Sequence, residues 1–174
     1  MPLSPSQRLT SINDLLLYRL GRLSSVAGAM VVRLCEGGYG ITRREWGVVA
    51  QLYENGSLPP SELATLMQRD RARTSRTLTS LVHKKLVLRT TPAHDRRSAR
   101  VELSPKGVQL YEALMPQIQV INSQILAALA PDSVTLFDKL LDSLQVRAAS
   151  LLAELSPDLP KANRRMGQRG KDSV

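Results

Sequence analysis

A chain of 174 residues, 43% of them hydrophobic, has the length and apolar content of one globular domain with a sizeable core. Aromatics are only 3%, no run reaches the roughly 18 apolar residues of a membrane span, and the single Cys35 provides neither an internal disulfide nor a zinc set. Against 15 Asp+Glu stand 24 Lys+Arg, a formal charge of +9 that points to a polyanionic partner and away from a membrane-embedded one.

Residues 1–10 are polar and rich in Pro and Ser, with no apolar stretch behind a basic one. They read as a flexible N-terminus without a secretory signal, and the expected location is cytoplasmic. Ile12, Leu16, Leu20, Leu23, Ala27, Met30 and Leu34 recur at helical steps and predict a helix over 11–35, broken by Gly37-Gly38 and Gly40. Thr42, followed three residues on by Glu45, forms a capping box for a second helix. Its apolar face is Trp46, Val49, Ala50 and Tyr53, and Asn55-Gly56 ends it. Pro59-Pro60-Ser61-Glu62 opens a short helix through Met67, with Leu63 and Leu66 inward. Asp70 caps the next, over 71–84. Thr74, Leu78, Leu81 and Val82 line its back; Arg73, Arg76, Thr77, Ser80 and Lys84 line its front.

Two short β-runs follow, Val87 to Thr91 and Arg100 to Leu103, joined by the polar stretch Pro92 to Ala99. Helix, helix, hairpin is the order of a winged helix-turn-helix. Ser104-Pro105 starts a long helix bearing Val108, Tyr111, Leu114, Met115, Ile118, Ile121, Ile125 and Leu129, with a kink expected at Pro116. Pro131-Asp132-Ser133 starts a last helix to about Leu155, striped by Phe137, Leu140, Leu141, Leu144, Ala148, Leu151 and Leu155. Residues 156–174 read as a disordered basic tail. The fold class is mainly α with a small β-hairpin wing. Residues 11–155 form a single domain, with 42–103 as the winged lobe. The apolar stripes at 11–35 and 104–155 exceed what that lobe can bury, so the economical partner is a second copy of the chain, a homodimer. A monomeric helical bundle is the alternative.

The charge is focused. Ten basic residues lie between Arg69 and Arg100 against only Asp70 and Asp95, a local formal charge of +8. A solvated basic face is the bland reading; the separation of an apolar back from an Arg/Ser/Thr front favours a surface for double-stranded DNA. Arg73 and Arg76 suit guanine edges. Ser75, Thr77 and Ser80 are short enough to reach phosphates or bases, and Arg71, Arg96 and Lys84 suit the backbone. Nothing in the chain assembles a catalytic set, a cofactor loop or a metal site, and no enzyme activity is expected. Cys35 reads as a buried, inert thiol, and His83 and His94 stand apart from each other and from any cysteine.

The wing sequence, Asp95-Arg96-Arg97-Ser98-Ala99-Arg100-Val101-Glu102-Leu103-Ser104-Pro105-Lys106-Gly107, resembles the signature of the MarR (multiple antibiotic resistance regulator) family of transcription factors. Pro60-Ser61-Glu62-Leu63-Ala64 and the stretch Leu81 to Arg89 are similar to its helix-turn-helix, and the likeness runs over about 11–155. It implies a regulator, a repressor by expectation, whose two recognition helices enter successive major grooves of a pseudo-palindromic operator. Arg97 would then reach the minor groove, with Asp95 orienting it. The alternative is a basic winged-helix protein binding nucleic acid without operator specificity. Where the family usually closes the recognition helix with Gly, this chain has Lys85. The resemblance further implies a small-molecule effector such as an aromatic carboxylic acid, with Tyr18, Arg19, Arg22 and Trp46 as candidate contacts. Such a ligand would act on the spacing of the recognition helices without touching DNA.

Overall fold

The computed structural model describes residues 4, 7, 9–90 and 99–160. The chain divides into two compact units, Met1–Ile125 and Leu126–Val174.

In the first unit, a single helical turn, Ile12–Asp14, is closed by a reciprocal cap between Ser11 and Asp14. Leu15 is extended, so the long helix α1 begins only at Leu16 and runs to Arg33. Its final turn, Leu34–Gly38, is widened and carries the chain straight through Gly37-Gly38. Of the three glycines expected to break the helix only Gly40 does so, and its φ of +64° is the left-handed geometry that glycine permits. Helix α2 (Arg43–Asn55) has the expected capping box, with Glu45 N donating to Thr42 Oγ1 at 3.2 Å and Thr42 N donating to a Glu45 carboxylate oxygen at 2.6 Å. Helices α3 (Pro60–Leu66) and α4 (Arg71–His83) form the helix-turn-helix, and Asp70 caps α4 by accepting from Arg73 N at 3.0 Å.

The end of α4 answers the question raised by Lys85. Lys85 N donates to Val82 O and Leu86 N to Leu81 O, which closes the helix with Lys85 at φ +60°. Leu86 and Leu81 are both buried, so packing of this pair holds a lysine in a backbone region that favours glycine. Lys85→Gly is therefore expected to stabilise the fold by about 0.5–1 kcal/mol, read as a rise in Tm.

Strands β1 (Val87–Thr90) and β2 (Arg100–Leu103) pair antiparallel, Val87 opposite Leu103 and Thr90 opposite Arg100. Leu58 adds a bridge to Val101 through two backbone hydrogen bonds, a third segment that no sequence periodicity marks. Helix α5 (Pro105–Leu126) starts on Ser104, whose Oγ accepts from Gly107 N and donates to Lys85 O, and it continues unbroken past Pro116.

The core lies where α2, α4 and the hairpin meet, with Val49, Leu63, Leu78, Leu81, Val101 and Leu114 all essentially inaccessible. It extends beyond 42–103: Cys35 from the end of α1 and Tyr111 and Leu114 from α5 are part of it. Three residues expected inward are exposed, Tyr53 at 41%, Leu66 at 47% and Val82 at 38%. Val48 and Leu52 fill the core from α2, while Tyr53 stacks one ring face on Tyr111 at 3.8 Å. Leu66 ends a seven-residue helix whose inward positions are taken by Leu63 and Ala64.

The second unit contains helix α6 (Pro131–Leu155), begun by Pro131 at its first position and Asp132 in its first turn. Its stripe is exposed, Phe137, Leu140, Leu144, Leu151 and Leu155 among it, and the helix has no buried residue. Among the described residues no single helix is long and apolar enough to cross a membrane.

Candidate nucleic-acid interface and adjoining cleft

Over its first turns helix α4 separates a buried back from a basic front. Thr74, Leu78 and Leu81 are buried, while Arg71, Arg73, Ser75 and Arg76 are exposed. Anchored at its start by Asp70 and at its end by the Leu81–Leu86 closure, the helix holds its arginines on a fixed backbone. Thr77 is half-buried, and its hydroxyl donates to Arg73 O at 3.0 Å within the helix.

Two residues expected on the DNA side are instead tied to the protein. Ser80 Oγ donates to Glu45 Oε1 at 2.6 Å, and Lys84 Nζ donates to Glu45 Oε2 and to Gly40 O, both at 2.8 Å. Glu45 is 3% exposed. Burial by itself would push its carboxyl up, but hydrogen bonds from Lys84, Ser80 and the Thr42 backbone, with the charge of Lys84, hold it below the usual carboxylate range. A buried anion takes its partners from whatever cations the fold brings near, which is why Lys84 turns inward. Glu45 thus joins the cap of α2 to the C-terminal half of α4. The sequence marks it only as a capping residue, because its long-range partners lie 35 and 39 positions away.

The wing residues Asp95, Arg96 and Arg97, and His94, lie outside the described residues. At the base of the hairpin, Arg100 donates through Nε to Ser57 Oγ at 3.1 Å and through its guanidinium to Ser57 O. This arginine of the basic cluster therefore clamps the hairpin to the loop before α3.

Beside α4 opens a cleft of about 1170 Å³. Val31, Val32, Trp46 and Ile118 form its apolar walls, and Arg43, Arg44, Arg69, Arg73 and Arg76 line it with positive charge. Glu36 and the already paired Glu45 are its carboxylates. Arg43 packs against buried Gly28 of α1, where any Cβ would stand 2.2 Å from a guanidinium nitrogen. Of the four expected ligand contacts, only Trp46 lines this space; Tyr18, Arg19 and Arg22 do not. Those three are on the early turns of α1, whereas the cleft begins more than two turns further on, at Val31. Helical spacing shows which side chains share a face, but not how far along that face another element crosses it. The adjacent Arg43-Arg44 and Arg69 had no signal beyond their charge.

Cys35 is fully buried, and burial together with Glu36 raises its thiol pKa, so it is a protonated core side chain at neutral pH. No group of three or more metal-ligating side chains occurs among the described residues.

Residues 39–98 match the sequence profile of the MarR family. The match is confined to the region of the winged lobe. No curated protein sequence matches the chain. The same fold extends over most of the molecule in solved structures. A probable transcriptional regulator from Pseudomonas aeruginosa is 26% identical, with a TM-score of 0.63 over 77% of this chain and 99% of that one. MepR of S. aureus, solved with DNA, is 21% identical, with a TM-score of 0.69 over 76% of this chain and 97% of its own. BpsR of Bordetella bronchiseptica, whose DNA binding is regulated by 6-hydroxynicotinic acid, is 20% identical, with a TM-score of 0.68 over 78% and 96%. At these identities MepR and BpsR share the fold with this chain.

Proposed function

We propose that this MarR-type protein is a cytoplasmic, DNA-binding transcriptional repressor that binds a pseudo-palindromic operator as a homodimer and is released by a small anionic ligand. The observation that carries the DNA reading is α4: a capped helix with a buried back, whose exposed face offers Arg71, Arg73, Ser75 and Arg76. Arg73 and Arg76 are assigned to base edges, Arg71 and Ser75 to the backbone, and Arg96 and Arg97, with Asp95 orienting Arg97, to the wing's contacts. Thr77 is a weaker contact, since its proton is used within the helix.

The homodimer is supported by exposed apolar surface at both ends of the chain. Leu16, Leu17 and Leu23 on α1 and Phe137, Leu140 and Leu144 on α6 are all at least 36% exposed. Surface of this extent on two long helices is an interface awaiting its partner. In domain terms, 11–35 and 104–155 make the dimer and 42–103 carries the DNA contacts, with the first turns of α5 shared with the lobe's core. The ligand reading rests on the cleft, where Trp46 supplies an aromatic wall and the arginines an anion site. BpsR shows that an aromatic acid regulates one protein of this fold.

The test is selection of bound duplexes from a random pool, followed by footprinting and sedimentation. A protected palindrome bound by two chains is the expected result; uniform weak retention would mean nucleic-acid binding without operator specificity. If each subunit neutralises roughly four or five phosphates, log K should fall with log salt with a slope of about −7 to −9. A slope near −2, measured on the selected duplex, would make the basic cluster a solvated face.

A further inference from the structure

We infer that Ala72 and Thr79 of α4 read the C5-methyl groups of two thymines, one on each side of a guanine held by Arg76. The inference rests on the DNA-binding reading of α4 given above. It adds two uncharged side chains that set which sequence is read.

Helix α4 is buried along Thr74, Leu78 and Leu81. At about 100° per residue, the line opposite that back runs through Ala72, Arg76, Thr79 and His83, all of them exposed. Arg73, Thr77, Ser80 and Lys84 follow one flank instead; the last three are only half-exposed, and Glu45 holds Ser80 and Lys84. A helix seated in a major groove sets the early turns of its outermost stripe against the base edges. That selects Ala72, Arg76 and Thr79 and leaves out His83, the last residue of the helix. The Arg76 fork suits guanine O6 and N7. Ala72 offers nothing but a methyl. Thr79 Oγ1 donates to Ser75 O at 3.0 Å, so its hydroxyl proton is used within the helix and its γ-methyl is left for a partner. In the major groove thymine alone of the four bases presents a methyl, and contact between two methyls removes both from water. The rise along the axis is about 6 Å from Ala72 to Arg76 and about 4.5 Å from Arg76 to Thr79. Each is between one and two base steps of about 3.4 Å, so the three groups meet neighbouring base pairs in order: methyl, guanidinium, methyl.

Deoxyuridine differs from thymidine only by lacking that methyl, which makes it the probe. The full-length protein is titrated by fluorescence anisotropy against the duplex selected from a random pool, with each thymine of a half-site replaced in turn by deoxyuridine. Two thymines flanking a guanine should each lose about fourfold in affinity, the effect of one buried methyl. Thr79→Ser, which keeps the hydroxyl and removes the methyl, should bring the thymine-to-uracil ratio to one at one of these positions. Thr79→Val, which keeps the methyl and removes the hydroxyl, should preserve it. Ala72→Gly should bring the ratio to one at the other position. Because the ratio compares two duplexes on the same protein, a variant that only weakens the helix leaves it unchanged. Selected half-sites with no thymines around a guanine, uracil tolerated at every position, a ratio that survives either methyl-removing variant, or one lost in Thr79→Val would each overturn the inference while the selected duplex is still bound. Failure to select any tightly bound duplex would instead overturn the operator reading, and the inference with it.

Discussion

Gly107→Ala is expected to destabilise the protein by about 3 kcal/mol or more, among the largest effects of any single methyl in this chain. A Cβ at this position would stand 2.2 Å from the carbonyl oxygen of Leu86 and 3.2 Å from Leu103 Cδ2. The obstacle is backbone, so no side-chain rotation relieves it. Neither partner is free to retreat. Leu86 is buried against Leu81 and accepts from Ser104 N through the same carbonyl, while Gly107 N donates to Ser104 Oγ. The contact fastens the start of α5 to the turn that closes α4, so the hairpin between them should loosen as well. Thermal unfolding should show a fall in Tm of about 6–12 °C. A change below about 1 kcal/mol would mean that the junction shifts at little cost.

Glu45→Gln should destabilise by about 2 kcal/mol and weaken DNA binding in parallel. Removing one partner of a buried ion pair costs roughly 3–5 kcal/mol, but the Lys84 side chain is 33% exposed and keeps some of its water, which reduces the loss. The neutral amide still reaches Thr42 and Ser80, and it leaves the ammonium of Lys84 without its counter-charge. Because the folded-state pKa of Glu45 is lowered, its contribution is complete above the ordinary glutamate value of about 4.3 and is lost as pH falls through the lowered value. The stability gap between wild type and variant should therefore be full at neutral pH and close in acid, as followed by urea unfolding across that range. A gap unchanged in acid would assign the loss to packing rather than charge. The DNA effect follows from Ser80 lying on α4 and Lys84 capping its end: without Glu45, the arginine face loses its attachment to α2.

Much of the architecture was legible because its causes are local. The Thr42/Glu45 box, the Asp70 cap, the Pro at the start of α5 and the period of the apolar stripes each act within about four residues. The same holds for the separation of Thr74, Leu78 and Leu81 from Arg73 and Arg76, which follows from helical geometry whatever α4 packs against. The family likeness was carried by the wing signature. Its glycine, Gly107, has a physical cause that appeared only once Leu86 was found beneath it.

Tertiary structure decided the assignment of individual polar residues. Arg76, Ser80 and Lys84 share one face of one helix and are indistinguishable by spacing. A buried carboxylate from α2 takes Ser80 and Lys84, and leaves Arg76 on the cleft. Tyr18, Arg19 and Arg22 looked as well placed for a ligand as any residues of α1, but the other elements of the cleft converge further along that helix, at Val31 and Val32. Lys85 could have ended α4 in a different conformation; the burial of Leu86 against Leu81 imposes the left-handed one. By itself the sequence determined the elements and their apolar and basic faces, since these depend on near neighbours along the chain. Which charges are spent inside the protein and which remain for a partner was decided only by the fold, because an ion pair or a cleft depends on distances between residues that sequence separation does not encode.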